Sequence, residues 1–329
     1  MRNEATPSVT VITPSYKAEK TILRTVQSVH AQMGCTVEHI VIEDGVFDKT
    51  EKTLSEYMDK ISYIKLEQNK GARNARNLGL KLAKHDFVIF LDSDDEISPE
   101  MLEGAYKVLH QSDCDICFCR FRDACGNERS PFYHLTEKDP IKVSLAWNLE
   151  EIFTPPCGIV WRKEFLNSIG GWYEPMEHND DGELILRAMF NKAKICQSEK
   201  GYGTYWHHNS NMRLSFANPD IVLNSAHAAF QHLTPFFNQY WTRQEIGRWC
   251  FRYVRYAASH YRKPEALRWL KLSHNFDYNG EAMHKPYKLV RLALGYYHAE
   301  KFFNFVRKFR KSQILLGCLP PRTPKLLAN

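Results

Sequence analysis

"FVIFLDSDDEISPE", residues 87–100, decides the fold. Phe87 to Leu91 form an unbroken apolar run, the pattern of a strand buried on both faces. Four acids then crowd into the next positions, Asp92, Asp94, Asp95 and Glu96, with Ser93 among them. Like charges at that density resist burial, so the strand must end at a surface that uses them. In open parallel sheets, ligands bind outside the carboxyl ends of the strands. The acids are therefore expected at the rim of a binding crevice.

The sequence upstream supports that sheet. "VTVITPSY" reads as a first strand and Ala18 to Met33 as a helix with Ile22, Val26 and Val29 on one face. "VEHIVIED" is a second strand and Lys49 to Met58 a second helix; "ISYIKLE" is a third strand and Gly71 to Ala83 a third helix. Downstream, Ser98 to Leu109 reads as a helix capped by Ser98, and "CDICFCRF" as a fifth strand. Strands alternating with helices predict an α/β fold with a doubly wound, mostly parallel sheet. Its strand ends bring Pro14–Tyr16, Glu43–Asp44 and Asp92–Asp95 to one crevice. Beyond about residue 215 the pattern turns helical. Two regions are expected, 1–215 around the sheet and 216–329 as a helical region.

Composition narrows the class. With 329 residues, 43% hydrophobic and 25% charged, the chain has the balance of an ordinary globular protein. No apolar run reaches the length of a membrane span, and "MRNEATPSVTV" lacks the apolar core of a secretory signal; a cytoplasmic location is expected. Nine cysteines form no disulfide-like framework. Cys114, Cys117, Cys119 and Cys125 cluster, but two of them lie within a strand, which favours buried thiols over zinc. The net charge of +6 is uneven: residues 281–329 hold ten Lys or Arg against two Glu, so the rest of the chain is slightly acidic. No nucleic-acid-binding motif accompanies that charge.

Taken alone, the acids suit three chemistries. They could hold a hard divalent cation such as Mg²⁺ or Mn²⁺. They could supply a carboxylate pair for glycoside hydrolysis. They could be an acidic cap on the helix that begins at Ser98. Two nucleotide motifs are missing: neither the glycine fingerprint of NAD sites nor the P-loop follows a strand.

The chain carries instead "PSYK" at 14–17, "EDGVFD" at 43–48, "NKGARNARNLG" at 69–79, "DSDD" at 92–95 and "NDDGELILR" at 179–187. In order and spacing these resemble the motifs of family 2 glycosyltransferases, which have the GT-A fold. Lys17 stands where that family usually has Asn, Glu43 replaces a first Asp, and Asp180 replaces a Glu. The resemblance covers roughly residues 8–210. It implies an inverting transferase that moves a sugar from a nucleotide sugar, in the first place a UDP-sugar, to a saccharide or lipid-linked glycan. It places Pro14, Tyr16, Asp44, Asp92 and Ser93 around the donor, with Tyr16 stacking on the base. Arg76 lies near ribose and phosphate, with Arg73 as the other candidate. Asp94, or its neighbour Asp95, would hold Mn²⁺ or Mg²⁺. His208, or His207, would stand near the metal or the diphosphate. Asp181 would be the catalytic base, with Asp180 as the alternative. A non-catalytic binding module of the same fold and a glycoside hydrolase are the competing readings.

In the tail, residues 286–316 place Leu289, Leu292, Tyr296, Phe303 and Val306 at helical spacing among Lys301, Arg307, Lys308, Arg310 and Lys311. Such a basic amphipathic helix can lie on an anionic membrane surface, or pack on the protein with a solvated face.

Overall fold

The computed structural model describes residues 6–45, 48–123, 125–129, 139–148, 153–206, 218–279, 290–293, 295–303 and 305–306. They fall into two compact units, Met1–Ala217 with Ala228–Leu233, and Asn218–His227 with Thr234–Asn329.

The first unit runs β1 (Ser8–Ser15), α1 (Ile22–His30), β2 (Thr36–Glu43), α2 (Thr50–Thr53), β3 (Ser62–Lys65), α3 (Ala72–Leu82), β4 (Phe87–Phe90), β5 (Glu96–Ile97), α4 (Met101–Gln111), β6 (Ile116–Asp123), β7 (Glu128–Arg129), α5 (Pro140–Asn148), β8 (Ile159–Arg162), α6 (Lys163–Ser168), α7 (Asp180–Phe190) and β9 (Ile195–Tyr205). The sheet has the order β3-β2-β1-β4-β8-β6-β9-β5, with β7 beside β6. The first four strands are parallel to one another. β8 then runs antiparallel between β4 and β6, β9 is parallel to β6, and β5 is antiparallel to β9.

Period-two alternation explains how the parallel half is covered. On β2, Val41 packs with Ile22 and Val26 of α1 and with Leu54. Its neighbours Ile40 and Ile42 pack on the opposite face with Ala75 of α3. Val9, Val11, Phe87 and Ile89 meet Met101, Leu102 and Leu109 of α4. Gly79 lets α3 approach β1: a Cβ there would collide with the Ile12 side chain.

Two expectations change in detail. The second helix is a single turn, Thr50–Thr53, followed by a 3₁₀ turn at Ser55–Tyr57; Ser55 and Glu56 are exposed, leaving no apolar stripe to extend it. Ser98 does not cap α4. Its hydroxyl accepts the Tyr202 N–H at 2.8 Å, Glu100 occupies the cap position, and no side chain bonds there. Ser98 ties two strands together, since β5 and β9 meet beside it. Cys117, Cys119 and Cys157 are buried, as thiols in the core.

The second unit contains most of α8 (Pro219–Tyr240), α9 (Arg243–Ser259) and α10 (Lys263–Asn275). Thr242 and Glu245 form a reciprocal capping box that starts α9. Trp249, Tyr253 and Trp269 pack their rings together. Buried Ser273 donates to the carbonyls of Gly247 and Tyr278, at 2.9 and 2.8 Å. Among the described residues, no helix is long and apolar enough to cross a membrane.

Candidate active site

Register sets the floor of the crevice. Ser15 of β1 lies level with Glu43 of β2, and the Asp44 N–H donates to the Ser15 carbonyl at 2.8 Å. Tyr16 and Asp44 therefore leave adjacent strands at the same height. Ile12 pairs with Phe90 of β4, and the Leu91 N–H donates to the Ile12 carbonyl at 3.0 Å. Asp92–Asp95 thus emerge from the next strand on the same edge, beyond a wall of apolar residues.

Pro14 is buried, whereas the Tyr16 ring is 46% exposed, open enough to meet a flat ligand. Lys17 lies beside that ring with φ of 53°. A left-handed residue here favours Asn over Lys, which supplies a physical reason for the Asn that similar sequences carry. Asp44 is almost fully buried, and its Oδ1 accepts the Lys70 N–H at 2.8 Å. Gly45 has φ of 63°, and a Cβ on it would enter the backbone of Gln68 and Asn69. The loop before α3 is thereby pressed against the end of β2. Glu43, buried behind it, accepts from the Tyr63 hydroxyl and lies 3.4 Å from Lys65.

Gly71, with φ of 87°, precedes α3, and the helix delivers two arginines. Arg73 turns toward the backbone, donating to the Glu174 carbonyl at 3.3 Å. Arg76 turns into the crevice. It donates to Asp92 at 2.6 Å and to Asp180 at 3.0 Å, and lies over the Trp172 ring with its guanidinium carbon 4.3 Å from the centroid. Burial alone would lower its pKa, but Asp92 and Asp180 outweigh that and raise it. Asn77, one residue on, clamps the same loop, accepting from the Trp172 N–H at 2.8 Å and donating to its carbonyl at 2.9 Å.

The acid turn divides by side chain. Asp92, Ser93 and Asp94 are half-buried at the crevice. Asp95 is 1% exposed, and its Oδ1 accepts the Trp206 N–H at 2.9 Å. Burial and the neighbouring Asp94 and Asp92 push its carboxyl well up, against the Trp206 N–H and the Cys157 thiol.

Asp180 and Asp181 open α7 after Asn179, whose φ is 55°. Asp181 accepts the N–H of Gly182 at 2.9 Å. Burial and Asp180 push its pKa up to about 6, against the Gly182 N–H and Arg76. Further along α7, Glu183 and Arg187 form a buried pair at 2.8 Å, and Arg187 donates to the carbonyls of Ile169 and Gly171. His232 Nδ1 lies 3.0 Å from Glu183, and its ring stacks on Tyr173.

Tyr16, Asp44, Arg76, Asp92, Asp94, Asp180 and Asp181 all stand at the carboxyl ends of β1, β2 and β4 or on the helices facing them. His207 and His208 lie outside the described residues. Sequence reasoning missed Trp172, Arg187 and Arg24. The "GGW" of 170–172 marks a tight turn ending in an aromatic, but nothing in the sequence assigns it to an arginine that far upstream.

Among the described residues, no group of three or more His, Cys, Asp or Glu forms a metal cage. A hard cation of the Mg²⁺ kind is commonly held by one or two carboxylates together with substrate phosphates. A set of carboxylate oxygens at the crevice, without a cage, fits that mode.

Residues 10–170 match the family model described as glycosyl transferase family 2, and this part of the chain is similar to that family. It is 38% identical over 115 residues to the teichuronic acid biosynthesis glycosyltransferase TuaG of Bacillus subtilis, described as putative, over 34% of this chain and 46% of that protein. It is 29% identical over 229 residues to the glycosyltransferase YibD of Escherichia coli, over 63% of this chain and 64% of that protein. The chain spans about half the length of the first of these and under two thirds of the second. The fold is similar to that of Staphylococcus aureus TarS residues 1–349, solved in complex with UDP-GlcNAc. That likeness has a TM-score of 0.55 at 19% identity, over 82% of this chain and 91% of that one.

Proposed function

We propose that the protein is an inverting glycosyltransferase that moves a sugar from a nucleotide sugar, a UDP-sugar, to a hydroxyl of a saccharide or lipid-linked glycan in cell-surface polysaccharide synthesis. The observation that carries this reading is the Arg76 bridge. One buried guanidinium joins a carboxylate of the acid turn to a carboxylate beside the candidate base, which puts donor-side and acceptor-side groups in one crevice. The relative named for teichuronic acid biosynthesis supports the acceptor class.

Tyr16 stacks on the base, a contact that needs only an exposed aromatic face. Asp44 and the loop it holds lie behind the base, and Asp92 and Ser93 meet the ribose. Arg76 faces ribose and phosphate with a fixed positive charge. Asp94 holds Mn²⁺ or Mg²⁺, with Asp95 and His208 as the other candidates. When bound, that cation neutralises charge on the diphosphate leaving group. Asp181 accepts the proton of the acceptor hydroxyl as its oxygen attacks the anomeric carbon from the face opposite the diphosphate. The C–O bond to the diphosphate breaks and the configuration inverts. A carboxylate poised near 6 suits that task at neutral pH. Asp180, held by Arg76, orients the acceptor and is the alternative base.

In the second unit, Leu292, Phe302 and Phe305 are exposed in a segment that leads into Arg307–Lys311. That combination supports docking of residues 286–316 on an anionic membrane face.

Release of UDP from a panel of UDP-sugars, with Mn²⁺ and a glycan acceptor, tests the reading. Acceptor-stimulated release that Asp181→Asn abolishes supports it; release unaffected by Asp181→Asn contradicts it.

A further inference from the structure

One face of α1 is polar where it meets the acid turn. Arg24, Ser28 and the following Gln32 recur every four residues, so they line one stripe. All three bond the chain between Asp94 and Leu102. Arg24 donates to the Asp94 carbonyl at 2.6 Å. The Ser28 hydroxyl accepts the Ile97 N–H at 3.3 Å. Gln32 donates to the Ser98 carbonyl at 2.8 Å and accepts the Leu102 N–H at 3.1 Å. Arg24 makes two further contacts: its Nε lies 3.4 Å from Glu96, and its guanidinium lies over the Trp206 ring, 4.1 Å from the centroid. The Trp206 N–H in turn donates to Asp95. The acid turn is therefore gripped from both sides by an arginine laid on a tryptophan, Arg76 on Trp172 at Asp92 and Arg24 on Trp206 at Asp94.

We infer that Arg24 is a positioning residue for the cation-dependent part of donor binding. It fixes the backbone of Asp94 and locks the turn to Trp206 at the end of β9. It also places a positive charge behind a turn of four acids, which offsets their repulsion before any cation arrives. Arg suits this position because its flat fork stacks and donates at once; a lysine ammonium supplies charge without either geometry. The inference rests on the proposed donor site and adds to it a residue outside the motifs that identify that site.

The test is calorimetric titration of UDP into the parent, Arg24→Lys and Trp206→Leu, each with Mn²⁺ and with EDTA, alongside thermal melts. Arg24→Lys is expected to weaken the Mn²⁺-dependent binding by about 10- to 100-fold, the loss typical of a group supporting a metal ligand. It leaves the binding in EDTA and the melting temperature unchanged, and raises the Mn²⁺ concentration at half effect. Trp206→Leu, which removes the other half of the latch, gives the same selective loss. Parent-like Mn²⁺ dependence in both variants, or equal loss with and without Mn²⁺, overturns the inference and leaves the donor site standing. A parent that binds no UDP under either condition overturns both.

Discussion

Arg76 lies over the Trp172 ring and donates to both Asp92 and Asp180, joining the end of β4 to the start of α7. Removing it leaves two facing carboxylates without their shared cation. Because Arg76 is only 6% exposed, Arg76→Ala is expected to cost about 3–5 kcal/mol of stability. Arg76→Lys should keep the fold yet lose most turnover, since an ammonium cannot bridge both acids while stacked. Chemical denaturation and UDP-release rates separate the two effects.

In the proposed mechanism Asp181 sets the pH dependence. With its pKa raised to about 6, the deprotonated base appears as pH rises through about 6, so turnover should climb over pH 5–7. The stability effect has the opposite sign. A carboxyl held above its unfolded value favours the protonated fold, so its contribution is full below the unfolded pKa and is lost as pH rises through about 6. Asp181→Asn should flatten both trends and reduce turnover by about 10²–10⁴-fold with donor binding retained. A pH–rate profile and pH-dependent melts check this.

Tyr16→Ala should weaken UDP binding by about 1–3 kcal/mol, the worth of one base stacked on an aromatic. Tyr16 is 46% exposed in the free protein, so the melting temperature should move little. Titration of UDP into the variant measures the first, and a thermal melt the second.

Arg187 supports the site from below. Its pair with Glu183 is buried, and its remaining donors hold the Ile169 and Gly171 carbonyls ahead of Trp172. Arg187→Met leaves the buried Glu183 carboxylate to His232 without its arginine and is expected to destabilise by about 3–5 kcal/mol. Arg187→Met with Glu183→Leu should recover part of that loss. Equilibrium denaturation of the single and double variants measures the difference.

Lys17 carries left-handed strain with φ of 53°. Lys17→Asn should raise stability by up to about 1 kcal/mol by relieving it. A thermal melt reads the change directly.

The parallel half of the sheet was legible because its strands are rich in apolar residues, unbroken in Phe87–Leu91, and its helices carry spaced apolar stripes. Ile22, Val26 and Val29 carry that signal for α1. The crevice was legible because Asp44 and Asp92 sit at strand ends; Arg76 was marked, with Arg73 beside it, only by the motif resemblance. The antiparallel half was not: β5 is two residues inside an acidic stretch, and its pairing with Thr204 and Gly203 depends on contacts no local pattern records. Ser98 is the same lesson in one residue. Its sequence context suits a helix cap, but Tyr202 from a distant strand takes its hydroxyl. Trp172, Trp206 and Arg24 stayed hidden because a ring serving as a platform for a distant guanidinium has no local pattern distinct from core packing.

The central claim is that the acids after Leu91 hold a cation against a nucleoside diphosphate. The direct measurement is calorimetric titration of UDP into the purified protein with Mn²⁺ and with EDTA, repeated for Asp94→Asn. Binding that strengthens with Mn²⁺ in the parent, and loses that gain in Asp94→Asn, is the predicted result. UDP binding that is indifferent to Mn²⁺ and to Asp94, or no binding in either condition, would contradict the account.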